Sequence, residues 1–483
     1  MALDLPSVDL DWTTLYVASE WVLRIIALVL VPQRRVPSAA RAWLLLIFFL
    51  PWPGVVLYLL IGRAYLPRRR IRLQRQIHEL IRSILPRTAS FDSAVDHAVS
   101  PELLPALRLA NALSEFPVVG GNRFELLSHY DAAIDAIVLE IDEAQRYIHM
   151  LFYIFEDDEV GRRVAEAAQR AARRGVSVRV LMDAIGSRAG IKGLGPGLAA
   201  AGVEVTTLMP LRLWGPNAAR FDLRNHRKIV VVDGSIAFFG SQNIVSAHAN
   251  RGMVNEEMLV RATGPIVLQL HAVLMGDRYL ELGTIPPESD DLSAPALNVA
   301  SDGLAQVVPS GPGYEEDIAE AVMIALMYGA RSRVVLTAPY VIPSEAFLNG
   351  MNSAARRGVE VDLIVDAESN KPLVQLAQES YYDAMLRAGV RIHRHRGSFL
   401  HAKHLSIDDE VALIGSSNLD IRSFMLNAEV SVLIYDRSVV ARLRNIEDGY
   451  LARSEQVTVE QRRARSLGRR VLENMARLTD SLL

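Results

Sequence analysis

The chain has 483 residues and no cysteine, which excludes a disulfide framework, a thiolate zinc site and a cysteine nucleophile. Lysine is nearly missing too. Among 52 Lys and Arg residues only four are lysine, namely Lys192, Lys228, Lys371 and Lys403. A surplus of positive charge is also absent, because 55 acidic residues give a formal net charge of −3. The overall charge therefore argues against a nucleic-acid-binding protein.

Two of the four lysines belong to a motif that occurs twice. Its pattern is H-x-K-x-x-x-x-D, followed after six residues by G-S-x-N, with the same spacing in both copies. The copies contain His226, Lys228, Asp233, Ser241 and Asn243, and His401, Lys403, Asp408, Ser416 and Asn418. Lysine is a compact point charge that suits a phosphoryl oxygen, whereas arginine is a broad planar fork. Two copies of the motif with identical spacing indicate a functional site.

The paired motif suits phosphodiester exchange through a phosphohistidine. One histidine attacks phosphorus and the other protonates the leaving alkoxide, so both copies are needed. We therefore predict a catalytic set of His226, Lys228, Asp233, His401, Lys403 and Asp408. Within this set, we expect the aspartates to hold the lysines and local backbone. The predicted phosphate donors are Ser241, Asn243, Ser416 and Asn418.

Each histidine also needs an acceptor that fixes its far ring nitrogen. Glu257 and Glu429 occupy matching places late in the two copies and are the candidates for this role. No metal site is predicted, because no suitably spaced acidic residue completes a set with His393, His395 and His404. No cofactor is expected.

The chain also repeats outside the motif. Residues 172–183 read ARRGVSVRVLMD, and residues 355–366 read ARRGVEVDLIVD. Each stretch predicts a helix end, a turn at Gly175 or Gly358, and a buried strand that ends in Asp183 or Asp366. These aspartates are expected to be turn or cap residues. Strands that alternate with helices predict an α/β fold with a parallel or mixed sheet.

Two apolar segments near the N-terminus predict membrane contact. Residues 42–62 carry no charge and are long enough to span a bilayer, but Pro51 and Pro53 interrupt them. Residues 15–31 either span or lie in the interface, with Glu20 and Arg24 placed to pair on one helical face.

Arginines follow the second apolar segment. Six of them lie between residues 63 and 75, against three between residues 34 and 41. This asymmetry predicts that the chain after the segment is cytoplasmic. These arginines either contact anionic lipid headgroups as well or only set the orientation of the chain in the membrane.

The predicted domains follow from these features. They are a membrane-anchoring hairpin (1–66), a basic connector (67–117), a first half (118–282), a linker (283–303), a second half (304–450) and an amphipathic basic tail helix (451–483). The tail either packs on the domain or contacts membrane. An extra segment at 209–223 in the first half is either a lid or lipid-touching lip, or an ordinary packed loop.

The doubled motif resembles that of the phospholipase D superfamily over about residues 120–450. More narrowly, the chain is similar to bacterial cardiolipin synthases. The features that carry this likeness are the apolar hairpin, FYIFEDDEVG at 152–161, PSGPG at 309–313, TAPYVIP at 337–343 and GSSNLDIRSFMLNAE at 415–429. G-S-Q-N in the first copy departs slightly from the subfamily, which often has two glycines there.

The resemblance implies two α/β sandwich halves related by pseudo-two-fold symmetry, with one active site between them. It implies that His226 forms the phosphohistidine and that His401 acts as acid and then base. One phosphatidylglycerol would load His226 and release glycerol, and a second would accept the phosphatidyl group, giving cardiolipin. The expected partners are phosphatidylglycerol and anionic membrane lipid, and the expected location is the bacterial inner membrane, with the catalytic domain on the cytoplasmic face.

The residues themselves leave the acceptor open. Phospholipid hydrolysis, or transfer to another alcohol such as ethanolamine, would use the same chemistry. A membrane-tethered nuclease is disfavoured by the excess of acidic residues, and a scaffold without catalysis by two intact motifs.

Overall fold

A computed structural model describes residues 11–33, 37–62, 68–84, 98–210, 223–250, 252–284, 303–314, 317–369 and 371–478. Most of the extra segment at 209–223 and of the linker at 283–303 lies outside these ranges. The described chain forms two compact units, an N-terminal one that ends before Arg68 and a larger one that contains both motif copies.

The N-terminal unit is helical. Helix α1 (Trp12–Leu30) begins at Asp11, whose carboxylate accepts from the N–H groups of Thr13 and Thr14. It is followed by α2 (Pro37–Phe49), α3 (Pro51–Leu57) and a π-helical turn (Tyr58–Gly62). In the described part of the chain, α1 alone is both long and apolar enough to cross a membrane. Residues 42–62 instead break at Leu50, because a proline at the start of α3 cannot continue the preceding helix.

The polar pair in α1 forms as its spacing predicts. Arg24 lies 3.2 Å from Glu20, and its Nε donates to the carbonyl of Phe48 in α2 at 3.1 Å. The charges are therefore satisfied within the N-terminal unit, and the apolar side chains of α1 are left largely exposed.

The larger unit begins with α4 (Arg68–Ile84) and α5 (Leu104–Leu113). Its first half consists of β1 (Arg123–Leu127), α6 (Tyr130–Glu143), β2 (Tyr147–Phe152), α7 (Glu159–Arg173), β3 (Ser177–Asp183), α8 (Arg188–Gly193), α9 (Gly195–Ala200), β4 (Glu204–Leu208), β5 (Ile229–Val232), β6 (Ile236–Gly240), β7 (Asn255–Glu256), β8 (Leu259–Thr263) and α10 (Ile266–Leu282).

The second half repeats this order. It consists of β9 (Ala305–Ser310), α11 (Ile318–Gly329), β10 (Arg333–Thr337), β11 (Val341–Ile342), α12 (Glu345–Arg356), β12 (Glu360–Asp366), α13 (Pro372–Ala388), β13 (Arg391–His395), β14 (Phe399–Leu400), β15 (His404–Ile407), β16 (Val411–Gly415), β17 (Leu419–Asp420), α14 (Ile421–Met425), β18 (Glu429–Ile434), α15 (Arg437–Ala452), β19 (Ser454–Gln456), α16 (Val459–Arg463) and α17 (Leu467–Arg477).

The duplication is visible in the sheets. The first has the strand order β1-β8-β6-β5-β2-β3-β4, and the second has β9-β18-β16-β15-β10-β12-β13 with β19 added at its edge. In both, three strands run parallel and the motif strand, β5 or β15, pairs antiparallel with the first of them. The predicted α/β fold with two repeated halves is confirmed.

The strands are buried on both faces, so they are continuously apolar. Along β5, Ile229 and Val231 face the core shared by the two sheets, whereas Val230 and Val232 face the helices of the first half. Along β18, Val430 and Val432 face the shared core and Leu433 faces the helices of the second half. The two sheets therefore pack on each other, with helices on the outside.

The turns predicted at Gly175 and Gly358 are present. Both glycines have a left-handed backbone, with φ of 91° and 90°, directly after α7 and α12. Glycine adopts this conformation without the steric penalty of a side chain. Each helix can therefore stop and reverse into the strand that follows it.

Candidate active site

The two motif copies meet where backbone crosses between the halves. The N–H of His226 donates to the carbonyl of Ala428 at 2.8 Å, and the N–H of His401 donates to the carbonyl of Glu256 at 2.8 Å. In the second case a short parallel ladder forms between β14 and β7. Each motif histidine is thus held beside the residue that precedes a candidate glutamate of the opposite half.

This crossing pairs the histidines and glutamates between halves. Nδ1 of His226 lies 2.9 Å from Oε1 of Glu429, and Nδ1 of His401 lies 2.7 Å from Oε1 of Glu257. A carboxylate only accepts, so the imidazole hydrogen belongs on Nδ1, and Nε2 keeps its lone pair. Each half thus supplies the glutamate for the histidine of the other half, in agreement with the pseudo-two-fold symmetry.

Burial disfavours the charged form of both imidazoles, and it does so more strongly for His226 than for His401. It lowers the pKa of His226 well below the usual value, and the positive charges of Lys228 and Lys403 lower it further. Burial also lowers the pKa of His401, although Glu257 opposes this shift. A neutral imidazole with a free Nε2 is the form that can attack phosphorus.

The serines of the G-S-x-N turns contact the two glutamates. Oγ of Ser416 donates to Oε2 of Glu429 at 2.5 Å, and Oγ of Ser241 donates to Oε2 of Glu257 at 2.5 Å. A hydroxyl has one hydrogen to donate, and here the glutamate receives it. Ser241 and Ser416 therefore hold the glutamates that face the histidines, and phosphate binding by these serines stays a prediction.

The glycine before each serine allows this contact. A Cβ on Gly240 would lie 2.1 Å from the carbonyl oxygen of Met258, and one on Gly415 would lie 2.3 Å from that of Val430. Any larger residue would push apart the strands that carry serine and glutamate. In each turn the glycine therefore lets the strands approach, and the serine uses that approach to reach the glutamate.

The motif lysines are buried next to the histidines. Nζ of Lys228 donates to the carbonyl of His226 at 2.5 Å, and Nζ of Lys403 donates to that of His401 at 2.6 Å. Among the described residues this is one bond per ammonium, which can donate three. Burial lowers the pKa of Lys228 to about 7 and that of Lys403 to about 8. Two poorly solvated cations with unused donors provide a strong site for a phosphodiester anion.

The asparagines of the G-S-x-N turns and two tyrosines complete the surroundings of the motif histidines and lysines. Oδ1 of Asn243 accepts from the N–H of Ile154 at 3.1 Å, which leaves its Nδ2 without a bond among the described residues. Nδ2 of Asn418 lies 3.3 Å from the hydroxyl of Tyr340. The ring of Tyr153 lies 4.8 Å from that of His226 and 5.6 Å from Nζ of Lys228. Phosphate binding by the asparagines stays a prediction.

The motif aspartates lie away from the histidines. The carboxylate of Asp233 accepts from the N–H groups of Gln145, Arg146 and Tyr147 at 2.8, 2.8 and 2.9 Å. Asp408 accepts in the same way from three successive N–H groups at the start of β10. Because a strand rises about 3.3 Å per residue, Asp233 lies roughly 16 Å beyond Lys228.

These contacts give Asp233 and Asp408 a structural role, and a part for them in catalysis stays a prediction. As expected, they hold local backbone, but neither contacts its lysine. Each fixes the start of the strand next to the motif strand, and so sets the position of the histidine at the far end.

Two strand-end aspartates also position the histidines, which the sequence did not reveal. The carboxylate of Asp183 accepts from the N–H of Asn225 at 3.1 Å, and that of Asp366 accepts from the N–H of Leu400 at 2.9 Å. Asp183 also accepts from Ile185 and Gly186, which is the turn role that we predicted. Their matching places in the repeat were the available signal.

Two further arginines support the crossing segments. Arg227 donates to the carbonyl of Glu429 at 2.9 Å and to Asp277 at 2.5 Å. In the second half, Arg453 forms a two-pronged ion pair with Glu256 beside β14. These arginines fix the backbone of both crossing segments. Among the described residues, no group of histidine and acidic side chains is arranged to hold a metal ion.

Comparison with known proteins identifies the family. The family model described as "Cardiolipin synthase, PLD-like domain" matches residues 137–275 and 323–448. The chain belongs to this family. A second model, described as "Phospholipase_D-nuclease N-terminal", matches residues 22–63, over the N-terminal helices. Together with the apolar helix α1, this makes the chain a membrane-associated member of the cardiolipin synthase family.

Relatives cover nearly the whole chain. Cardiolipin synthase A of Yersinia pseudotuberculosis is 33% identical over 460 residues, which is 92% of this chain and 93% of the relative. Cardiolipin synthase A of Serratia proteamaculans is 32% identical over 485 residues, or 96% and 98% of the two chains.

Among solved structures, phosphatidylserine synthase of Haemophilus influenzae matches with a TM-score of 0.59 at 15% identity. The match covers 78% of this chain and 100% of the other. At this identity the match shows the fold alone.

Proposed function

We propose that this phosphatidyltransferase is a cardiolipin synthase that joins two phosphatidylglycerol molecules and releases glycerol. The observation that carries the proposal is the crossed pairing of His226 with Glu429 and of His401 with Glu257. It supplies two oriented imidazoles and two buried lysines in one chain. The family membership described above indicates the substrate class.

In the first step, Nε2 of His226 attacks the phosphorus of phosphatidylglycerol. The bond from phosphorus to the glycerol oxygen breaks, and protonated His401 gives its hydrogen to that oxygen. Lys228 and Lys403 offset the charge on the phosphoryl oxygens. Glu429 stabilises the positive charge that His226 gains. The products are phosphatidyl-His226 and free glycerol.

In the second step, His401 removes the hydrogen from the terminal hydroxyl of a second phosphatidylglycerol. The resulting oxygen attacks phosphorus, the bond to Nε2 of His226 breaks, and cardiolipin leaves. The side chain of His401 is 20% exposed and that of His226 is 10% exposed. The more exposed imidazole suits the proton exchange with an incoming alcohol, and the more buried one suits the covalent intermediate, which water would otherwise hydrolyse.

The test is to incubate purified protein with phosphatidylglycerol alone and to identify the products by mass spectrometry. We expect cardiolipin and glycerol in equal amounts. With labelled glycerol added, label should enter phosphatidylglycerol, because the intermediate can be captured by either alcohol. Phosphatidic acid without label exchange would show that water is the acceptor and that the enzyme is a hydrolase. The variant His226→Asn serves as the control for contaminating activity.

We also propose that the catalytic unit lies on the cytoplasmic face of the bacterial inner membrane. The arginines after the apolar segments support this orientation. The absence of native cysteine permits a direct test with a single Glu79→Cys variant on the exposed face of α4. A membrane-impermeant thiol reagent should label it in inverted membrane vesicles and not in intact cells. Labelling in intact cells, where the periplasmic side is accessible, would contradict the orientation.

A further inference from the structure

The C-terminal helix α17 packs on the body through its charged side. Glu473, which is buried, accepts from Arg462 at 3.0 Å and also pairs with Arg465. Arg469 donates to Glu379 of α13 at 2.9 Å, and Arg465 donates to Asp383 of α13 at 2.6 Å. An ion-pair network therefore fixes α17 in place.

The apolar side chains of this helix point outward. Leu467 is 74% exposed, Val471 48%, Met475 58% and Leu478 80%. Their spacing of four, four and three residues places them on one face of a helix. Leu472, beside this stripe, is 53% exposed. A helix on the surface of a soluble domain normally packs its apolar face inward, and here the orientation is reversed.

We propose that this outward apolar face of α17 inserts into the headgroup region of an anionic phospholipid bilayer. Exposed cations accompany the stripe, with Arg470 in the helix and Arg463 just before it. Apolar residues that enter the acyl boundary, together with arginines at headgroup level, are the chemistry of an interfacial helix. The ion pairs to α13 hold this face rigid, so the body can rest on lipid without refolding the tail.

A second copy of the chain fits this face less well. A stable dimer buries about 800 Å² on each partner, whereas this stripe is one short helix of 11 residues. Around a two-fold axis the same arginine-bordered face would be used by both chains, so the contact would bring together two surfaces of the same positive charge. An anionic bilayer needs no minimum contact area of this kind, and its negative charge attracts the arginines.

The lack of native cysteine allows a direct test on the full-length protein. A bimane fluorophore on a single Val471→Cys or Met475→Cys variant is followed in vesicles that contain phosphatidylglycerol. We expect quenching by phospholipids brominated on their acyl chains and protection from aqueous iodide. A label at Glu460→Cys, an exposed polar position in α16, serves as the comparison and should be quenched less by the brominated lipids.

Three outcomes would overturn the proposal. One is full access of iodide to the labels at 471 and 475 without quenching by brominated lipid. Another is efficient crosslinking of these cysteines between chains in bilayers, which would show that a second copy covers the face. The third is equal quenching with zwitterionic lipid alone, which would remove the role of the anionic surface. None of these readouts needs turnover, so failure here would be separate from failure of the proposed synthase activity.

A variant with Leu467→Ser, Val471→Ser, Met475→Ser and Leu478→Ser provides a second measurement. These side chains are exposed, so the fold should be unchanged. The apparent KM for phosphatidylglycerol at the vesicle surface should rise several-fold, while kcat stays within about two-fold. Leu139→Ser, which removes an apolar side chain of similar exposure from α6, serves as the matched control and should change neither. An unchanged KM in the tail variant would contradict lipid contact by α17.

Discussion

Each histidine depends on a serine and a glutamate that lie in the other half of the chain. The connection runs from Ser416 through Glu429 to His226, and from Ser241 through Glu257 to His401. A buried carboxylate that receives a hydroxyl hydrogen and also faces an imidazole is held in one orientation. This fixed geometry suits an imidazole that must become positively charged during the reaction.

We expect Glu429→Gln to lower kcat by about 100-fold or more, because an amide no longer stabilises the imidazolium. Ser416→Ala should cost less, about ten-fold, because it removes one hydrogen bond to the carboxylate and leaves the carboxylate in place. Steady-state kinetics on equal amounts of folded protein measure both effects. Ser417→Ala, at the neighbouring position, serves as the control and should leave the rate unchanged. A wild-type rate for Glu429→Gln would remove the role of the crossed pair.

The rate should also depend on pH in a predictable way. Burial lowers the pKa of His226, so it stays neutral down to pH values below 6.5, and the acid limb of kcat/KM should lie there. As pH rises, His401 loses the proton that the first step needs, and Lys228 and Lys403, with pKa values of about 7 and about 8, lose their charge, so kcat/KM should fall and be low above the higher of these values. A profile that is flat from pH 6 to pH 9 would contradict these assignments.

At the scale of single residues, the sequence predicted that the motif histidines, the motif lysines and the two glutamates lie together, because they occupy matching positions in the repeat. It did not predict which glutamate faces which histidine. That depends on the crossing of backbone near Ala428 and Glu256, for which the local sequence carries no signal. The serines were assigned to phosphate because hydroxyls often bind it. Their approach to a glutamate is set by strand pairing from Gly240 to Leu259, which spacing alone cannot show.

At the scale of strands, the motif aspartate secures the beginning of the neighbouring strand. Asp233→Asn removes the charge that three backbone N–H groups of the β2 segment share. We expect a loss of about 1–3 kcal/mol in the free energy of unfolding, with kcat per folded molecule close to wild type. Thermal unfolding and the active fraction measure the two quantities. A large loss of kcat in fully folded Asp233→Asn would place this residue in the chemistry.

The helices and strands around Gly175 and Gly358 were predictable because helix, turn and buried strand each leave a local pattern. The two-residue strands β7 and β14 were not, since each is completed by a partner from the other half. The tail (451–483) was predicted as one amphipathic helix, but its described residues form the end of α15, strand β19 and the helices α16 and α17. Periodicity also does not say which face of α17 packs inward. Charges on α13, more than 70 residues earlier in the chain, decide that.

For the whole molecule, one active site contains parts of both halves. His226→Asn and His401→Asn should each abolish turnover and remain folded, because each removes one partner of a two-step displacement. An equal mixture of the two variants should stay inactive, because each chain still lacks one histidine in its own site. Wild type diluted into either variant serves as the control. Recovery of activity in the mixture would mean that copies exchange halves.

Activity of the purified enzyme should also survive EDTA. The buried lysines supply the positive charge that a metal ion otherwise brings to a phosphodiester. The measurement is turnover before and after chelation, at fixed ionic strength and lipid composition. Loss that a single divalent ion restores would contradict the proposed mechanism, whereas equal stimulation by several cations would reflect screening of lipid headgroups.

The crossed bonds between halves also bear on how the two copies were able to diverge. A change in the G-S turn or the glutamate of one copy affects the histidine of the other, so neither copy can lose these residues without disabling the shared centre. Helices α6 and α7 pack on the first sheet and helices α12 and α13 on the second, so they have no such tie. The two copies accordingly keep the motif residues at identical spacing, and mutual dependence gives a physical reason for both copies to retain them.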